Sequence, residues 1–185
     1  MEAARVLPVT VADYLAFEET SEVKHEYVGG DVHAMSGASL AHNKIAGSIF
    51  AHLRTSLRGG PCQVFMADVK VRLEIARDEI YYYPDVVVTC HQIGLEKHFL
   101  RWPTLVVEVL SPATESIDRR EKLLNYRTIP TLEEYAIVSQ ERREVTLFRR
   151  DRNWAAAIHT GAEARVEFTS VHQAMTLAEI YEGVF

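Results

Sequence analysis

Leu105-Val106-Val107-Glu108-Val109-Leu110 is a run of five apolar residues interrupted by a single carboxylate. Such continuous apolarity reads as a strand covered on both faces, at the centre of a layered sheet rather than at its edge. Glu108 is out of place there, because a bare carboxylate buried in apolar surroundings costs several kcal/mol. It is therefore paired with Lys or Arg, set on an exposed edge, or placed beside a cation. A second acid, Asp85, opens the apolar run Asp85-Val86-Val87-Val88 behind Pro84, which fixes where that strand begins. Adjacent strands lie about 4.8 Å apart, so two carboxylates at matching levels on one face can share a divalent cation. Taken alone, Asp85 also has the plainer reading of an aspartate capping a turn.

Working outward, residues 63–73, 80–90 and 104–110 are rich in Val, Tyr and Phe and read as three strands. Before them, Ile45, Ile49, Leu53 and Leu57 recur at helical spacing across residues 42–57, and Gly59-Gly60-Pro61 stops the run. Thr10 and Asp13 cap a short N-terminal helix. Gly29-Gly30 joins residues 24–28 and 31–35 into a hairpin, supplying the positive φ angles that a two-residue turn needs. After Ser111-Pro112, residues 114–118 offer caps for a helix reaching about Arg127, whose apolar side is Leu123, Leu124 and Tyr126. Residues 134–138 read as a strand, 144–149 with 154–159 as a closing hairpin, and 176–185 as a terminal helix. The expected fold class is α/β or α+β, a mixed central sheet flanked by helices with an N-terminal β-hairpin and a C-terminal hairpin plus helix, in one domain spanning residues 1–185.

The composition, 48% hydrophobic and 25% charged, is that of an ordinary globular chain. With 26 acids against 20 bases the net charge is −6, so nucleic-acid binding through bulk positive charge is excluded and local basic patches must carry any such contact. No apolar run is long enough for a spanning helix, and residues 1–10 lack the basic start and long apolar centre of a signal peptide, so the expected setting is the cytoplasm, away from membranes. Cys62 and Cys90 sit in apolar, strand-like stretches without a C-x-x-C spacing; neither a disulfide scaffold nor a zinc site is expected. His25, His33 and His91 fall in no recognisable motif, and no Ser-His-Asp or Cys-His arrangement competes.

Downstream of Glu108, Asp118, Lys122 and Tyr126 are spaced i, i+4, i+8 and share one helical face. Asp118 and Lys122 are either a solvated helix pair or part of a site in which Lys122 stands over the carboxylates. Here a resemblance enters. Met35-Ser36-Gly37-Ala38-Ser39, His42-Asn43, Tyr83-Pro84-Asp85-Val86-Val87-Val88 and Glu108-Val109-Leu110-Ser111-Pro112-Ala113-Thr114-Glu115, with the helix of Asp118, Lys122 and Tyr126, resemble the bacterial restriction endonuclease family called Uma-two, assigned to the PD-(D/E)XK nuclease superfamily. The likeness covers residues 10–154. It implies a restriction-endonuclease-like core in which Asp85 and Glu108 are the motif's two acids and hold Mg²⁺ or Mn²⁺ together with the Val109 backbone carbonyl. At the position of the motif's lysine this chain has Leu110, and the resemblance makes Lys122 the replacement.

The implied activity is metal-dependent hydrolysis of phosphodiester bonds in DNA. His42 either caps its helix or faces the cleft. Asp68 and Lys70 lie on an outward face or reach the same cleft, and Glu26 matches a family acid. Arg119 and Arg120, on the helix of Lys122, are the candidate DNA contacts, and Arg142-Arg143, Arg149-Arg150 and Arg152 are further basic positions. Trp154, Tyr181 and Phe185 belong to the core or to a homodimer face. The loss of the motif's lysine at 110 keeps open a binding module that retains the fold without turnover, and a metal-dependent hydrolase of another substrate is the second rival.

Overall fold

The computed structural model describes residues 8–35, 37–111 and 118–185. Its centre is a six-stranded sheet of β3 (Gln63–Met66), β6 (Val86–Thr89), β8 (Leu105–Val109), β9 (Glu134–Val138), β10 (Glu144–Arg149) and β11 (Ala156–Thr160), in the order β11-β10-β9-β8-β6-β3. The β8–β9 pair is parallel and the others are antiparallel. A second sheet stacks β1 (His25–Val28), β2 (Asp31–Ala34), β4 (Lys70–Ile75), β5 (Asp78–Tyr82) and β7 (Phe99–Leu100) in the order β2-β1-β5-β4-β7. The class is mixed α+β, as the sequence suggests.

Both faces of the central sheet are covered, which explains the unbroken apolarity of β6 and β8. On one face Val86, Val88, Leu105, Val107 and Val109 meet α2 (Leu40–Ser56). Ile45, Ile49 and Leu53 of that helix are fully buried, each contributing about 1.5–3 kcal/mol. On the other face Val87, Val106 and Leu110 pack with Val71, Leu73 and Tyr82 of the second sheet and with Tyr126. Residues alternate between these faces, so Glu108 points to the second, between Val106 and Leu110. There a π-helical turn, Asp118–Lys122, runs into α3 (Leu123–Tyr126). The Thr114 cap expected from the sequence lies outside the described residues.

Two expected strands are each divided between the sheets. Residues 63–73 break at Ala67, which takes a left-handed φ of 51°, and residues 80–90 break at Tyr83-Pro84-Asp85, where proline has no N–H to continue the ladder. The breaks are side by side, with the Ala67 N–H donating to the Asp85 carbonyl at 3.2 Å. The chain therefore crosses between the two sheets twice at one level, out after β3 and back before β6, and Asp85 lies where the sheets part.

The helix α1 (Val11–Glu18) is capped by Thr10, whose hydroxyl accepts the Asp13 N–H. Its buried Tyr14 joins Tyr27 and Tyr81 in an aromatic cluster that holds it on the second sheet. Contrary to the sequence expectation, Cys62 and Cys90 form a disulfide. They extend the Gln63–Thr89 pairing of β3 and β6 by one step, an adjacency hidden by a sequence separation of 28. The expected terminal helix shrinks to α4 (Leu177–Ile180) with a Thr176–Glu179 capping box, preceded by the small sheet of β12 (Arg165–Phe168) and β13 (Gln173–Thr176), which the sequence did not announce. Tyr181 is core, its hydroxyl bonded to the Ser139 and Glu144 carbonyls, while Phe185 is exposed. Among the described residues, no helix is long and apolar enough to cross a membrane.

Candidate active site

The site gathers side chains from both sheets, from α2 and from the turn and helix that follow β8. Val86 of β6 pairs with Val107 of β8, so Asp85 and Glu108 stand opposite each other one step further along the two neighbouring strands. The Asp85 carboxylate accepts the Val109 N–H at 2.7 Å through Oδ2 and lies 2.8 Å from His42 Nε2 through Oδ1. Glu108 is 4% exposed, and its Oε1 receives Lys122 Nζ and the Tyr126 hydroxyl, each at 3.2 Å. Lys122 also donates to Glu26 Oε1 at 2.9 Å and lies 5.2 Å from the centre of the Tyr82 ring. Glu26, carried by β1, takes in addition the Tyr83 N–H.

The i, i+4 spacing of Lys122 and Tyr126 thus brings both onto one carboxylate oxygen. Burial, followed by the charges of Glu108 and Glu26, pushes the Tyr126 hydroxyl well above the usual phenol range, which keeps it a donor. Leu110, where the motif's lysine would stand, is 5% exposed and part of the core. A lysine from the following helix reaches Glu108 without opening that core.

A second polar network lies behind the first. The Tyr83 hydroxyl donates to Glu18 at 2.8 Å and accepts from Lys70 at 3.0 Å. Glu18 also takes the His25 N–H and contacts His25 Nδ1. Lys70 is 6% exposed, so of the two sequence alternatives for it the outward face is not adopted, and desolvation lowers its pKa. Burial, then the hydrogen bond to Glu18, raises that of Tyr83. Asp68 points outward, paired with Lys24. Glu18, Tyr83 and Glu121, which binds the Tyr82 hydroxyl at 2.9 Å, were not singled out in the sequence. The triplet Tyr81-Tyr82-Tyr83 beside Pro84 was the available signal, since consecutive tyrosines in a strand must serve two faces and find partners for their hydroxyls.

Of the two alternatives for His42 the cap reading is not adopted: Ser39 is the N-cap and accepts the His42 N–H, while the His42 ring turns toward Asp85. The Asp118 and Arg119 side chains lie outside the described residues, and Arg120 is exposed. Arg142 pairs with Glu144, Arg149 with the buried Glu134, and Arg150 with backbone carbonyls near Ile129 and with the Trp154 ring. Those basic positions serve the fold.

The donor set suits a hard cation. Asp85, Glu108 and the Val109 carbonyl offer oxygens, and Mg²⁺ takes few protein ligands while retaining waters. No group of three or more His, Cys, Asp or Glu side chains is gathered to hold a metal among the described residues. His42 Nδ1, the ring nitrogen turned away from Asp85, is buried without a hydrogen-bond partner among them.

A two-faced mixed sheet with facing acids on adjacent strands and a lysine on the next helix defines a restriction-endonuclease-like nuclease fold. The chain belongs to the Uma2 family, described as "Putative restriction endonuclease", whose model matches residues 11–178. Two uncharacterized proteins of Synechocystis sp. are similar to it. One, slr1290, is 35% identical over 175 residues, covering 93% of this chain and 90% of the relative. The other, sll1609, is 32% identical over 174 residues, covering 91% and 97%. Among solved structures, one titled a putative nuclease belonging to DUF820, from Anabaena variabilis, superposes with a TM-score of 0.79 at 15% identity, covering 96% of this chain and 100% of the other.

Proposed function

We propose that this protein is a divalent-metal-dependent endonuclease hydrolysing phosphodiester bonds in DNA. The observation that carries the reading is the place of Lys122, whose ammonium lies 3.2 Å from Glu108 and 2.9 Å from Glu26 although the usual lysine position is occupied by a core leucine. Asp85, Glu108 and the Val109 carbonyl would hold Mg²⁺ or Mn²⁺, which supplies activation of a water and neutralises charge on the phosphoryl oxygens. Lys122, a compact ammonium, orients the attacking water and offsets developing negative charge. Tyr126 and Glu26 hold that ammonium and its carboxylate partner in register. Arg120, which is exposed two residues before Lys122, would meet the DNA backbone.

The test is calorimetric titration of Mn²⁺ into the parent and into Asp85→Asn, followed by cleavage assays on duplex, branched and single-stranded DNA with the parent and Lys122→Met. The expected result is Mn²⁺ binding that Asp85→Asn loses and metal-dependent cleavage that Lys122→Met loses. Metal binding with no cleavage of any of the three DNA forms would overturn the reading. It would favour a module that keeps the fold without turnover, a reading supported by the engagement of Lys122 with two carboxylates at once.

A further inference from the structure

Asp85 begins a strand from a proline turn, and its backbone does not by itself settle which way the carboxylate points. Among the described residues that carboxylate has two polar partners, one on each oxygen: the Val109 N–H, fixed in the ladder of β8, and the His42 ring. A single hydrogen bond from Val109 leaves the carboxylate free to swing about it, and the second arrests the swing. His42 is itself well anchored. Its backbone N–H is held by Ser39 Oγ at 3.1 Å, and the same hydroxyl donates to Oε1 of Gln140, beyond the end of β9, at 2.5 Å. The first turn of α2 is thus tied to the central sheet on the same side as Asp85. With Nδ1 buried and unpartnered among the described residues, Asp85 is the ring's polar anchor, and each side chain sets the other's orientation.

We propose that His42 is the positioning residue of Asp85, holding its carboxylate through Nε2 so that the opposite oxygen edge faces the cation site. The proposal rests on the metal-dependent reading above for its purpose, but its first readout needs no metal. If His42 arrests Asp85, its removal loosens the Val109 N–H bond, and that amide exchanges faster with solvent.

The experiment measures Val109 amide hydrogen exchange by NMR in the parent, His42→Ala, His42→Gln and His42→Asn, with thermal midpoints recorded for each. The glutamine amide nitrogen reaches about as far as Nε2, whereas that of asparagine stops at the level of Nδ1. Exchange at Val109 is expected to rise about tenfold in the alanine and asparagine variants and to stay near the parent's in the glutamine variant, the size of one lost hydrogen bond to a charged group. Mn²⁺ affinity is expected to follow the same order, falling at least tenfold in His42→Asn. Equal exchange in parent, glutamine and asparagine variants would overturn the proposal. Equal acceleration in both amide variants would also do so, since it would show that ring volume rather than the Nε2 hydrogen bond matters. Should His42→Ala fail to fold, the comparison of glutamine with asparagine still decides. Failure of the metal-dependent reading shows separately, as Mn²⁺ binding that Asp85→Asn leaves unchanged.

Discussion

Removing the Lys122 ammonium should cost stability as well as activity, and the size of the cost follows from its surroundings. In Lys122→Met the volume is kept, but Glu108 and Glu26, whose side chains are 5% and 15% exposed, lose a shared cation that is itself 5% exposed. Breaking a buried pair by removing one partner costs about 3–5 kcal/mol, far above the value of an exposed pair, because the remaining charge stays desolvated. Glu108 keeps the Tyr126 hydroxyl and Glu26 keeps the Tyr83 N–H, which places the expected loss at the lower end, about 3 kcal/mol. For a chain of this length that corresponds to a drop in midpoint of about 6–12 °C. Urea unfolding followed by circular dichroism at pH 7 reads it, and a cycle with Glu108→Gln supplies the control. Neutralising Glu108 in the Lys122→Met background should recover at least half of the loss, since the two changes act on one contact. A single-variant cost below about 1 kcal/mol would refute the reasoning, because that is the value of a solvated surface pair.

Two further outcomes follow from the structure. Lys70 has a lowered pKa in the folded protein, so the unfolded chain binds the extra proton more tightly and stability gains from this residue as pH rises from the lowered value toward 10.5; unfolding curves of the parent and Lys70→Met should therefore converge with rising pH, and a constant gap would contradict the assignment. Reduction of Cys62–Cys90, or Cys62→Ser, should remove about 3.5 kcal/mol by the loop-closure estimate for a separation of 28, and an unchanged midpoint with and without reductant would show that the bridge does not constrain the chain.

What could be read in the sequence was what short-range physics dictates. The helical spacing of Ile45, Ile49 and Leu53, the Gly29-Gly30 turn and the apolar runs of β8 and β9 each carry their own signal, and each element stands where the sequence placed it. The division of the first strand carried none, because a left-handed alanine has no compositional mark, whereas Pro84 marked the start of the run at residues 85–88 without showing that residues 80–82 belong to another sheet. The strands β12 and β13, four residues each, are too short to show a period. In the cleft, Asp85, Glu108, Lys122 and Tyr126 were legible because two acids interrupt apolar strands and a lysine and a tyrosine share a helix face. Lys70 was left between an outward face and the site, and Glu18 was not singled out at all, since they meet through Tyr83 only after α1 is packed against the second sheet.

The crossing at Ala67 and Asp85 divides labour between the two sheets. Asp85, Glu108 and the stem of the Lys122 helix belong to the central sheet and its immediate continuation, whereas Glu26 arrives on a hairpin held by its own sheet and by α1. A change in the length or tip of that hairpin alters one wall of the cleft while leaving the register of the opposing acids untouched. Changes beside the site can therefore accumulate at the exposed positions of β2 while Tyr27 stays fixed in the aromatic cluster, and chimaeras that exchange this hairpin but keep Tyr27 are the natural means of altering that wall alone.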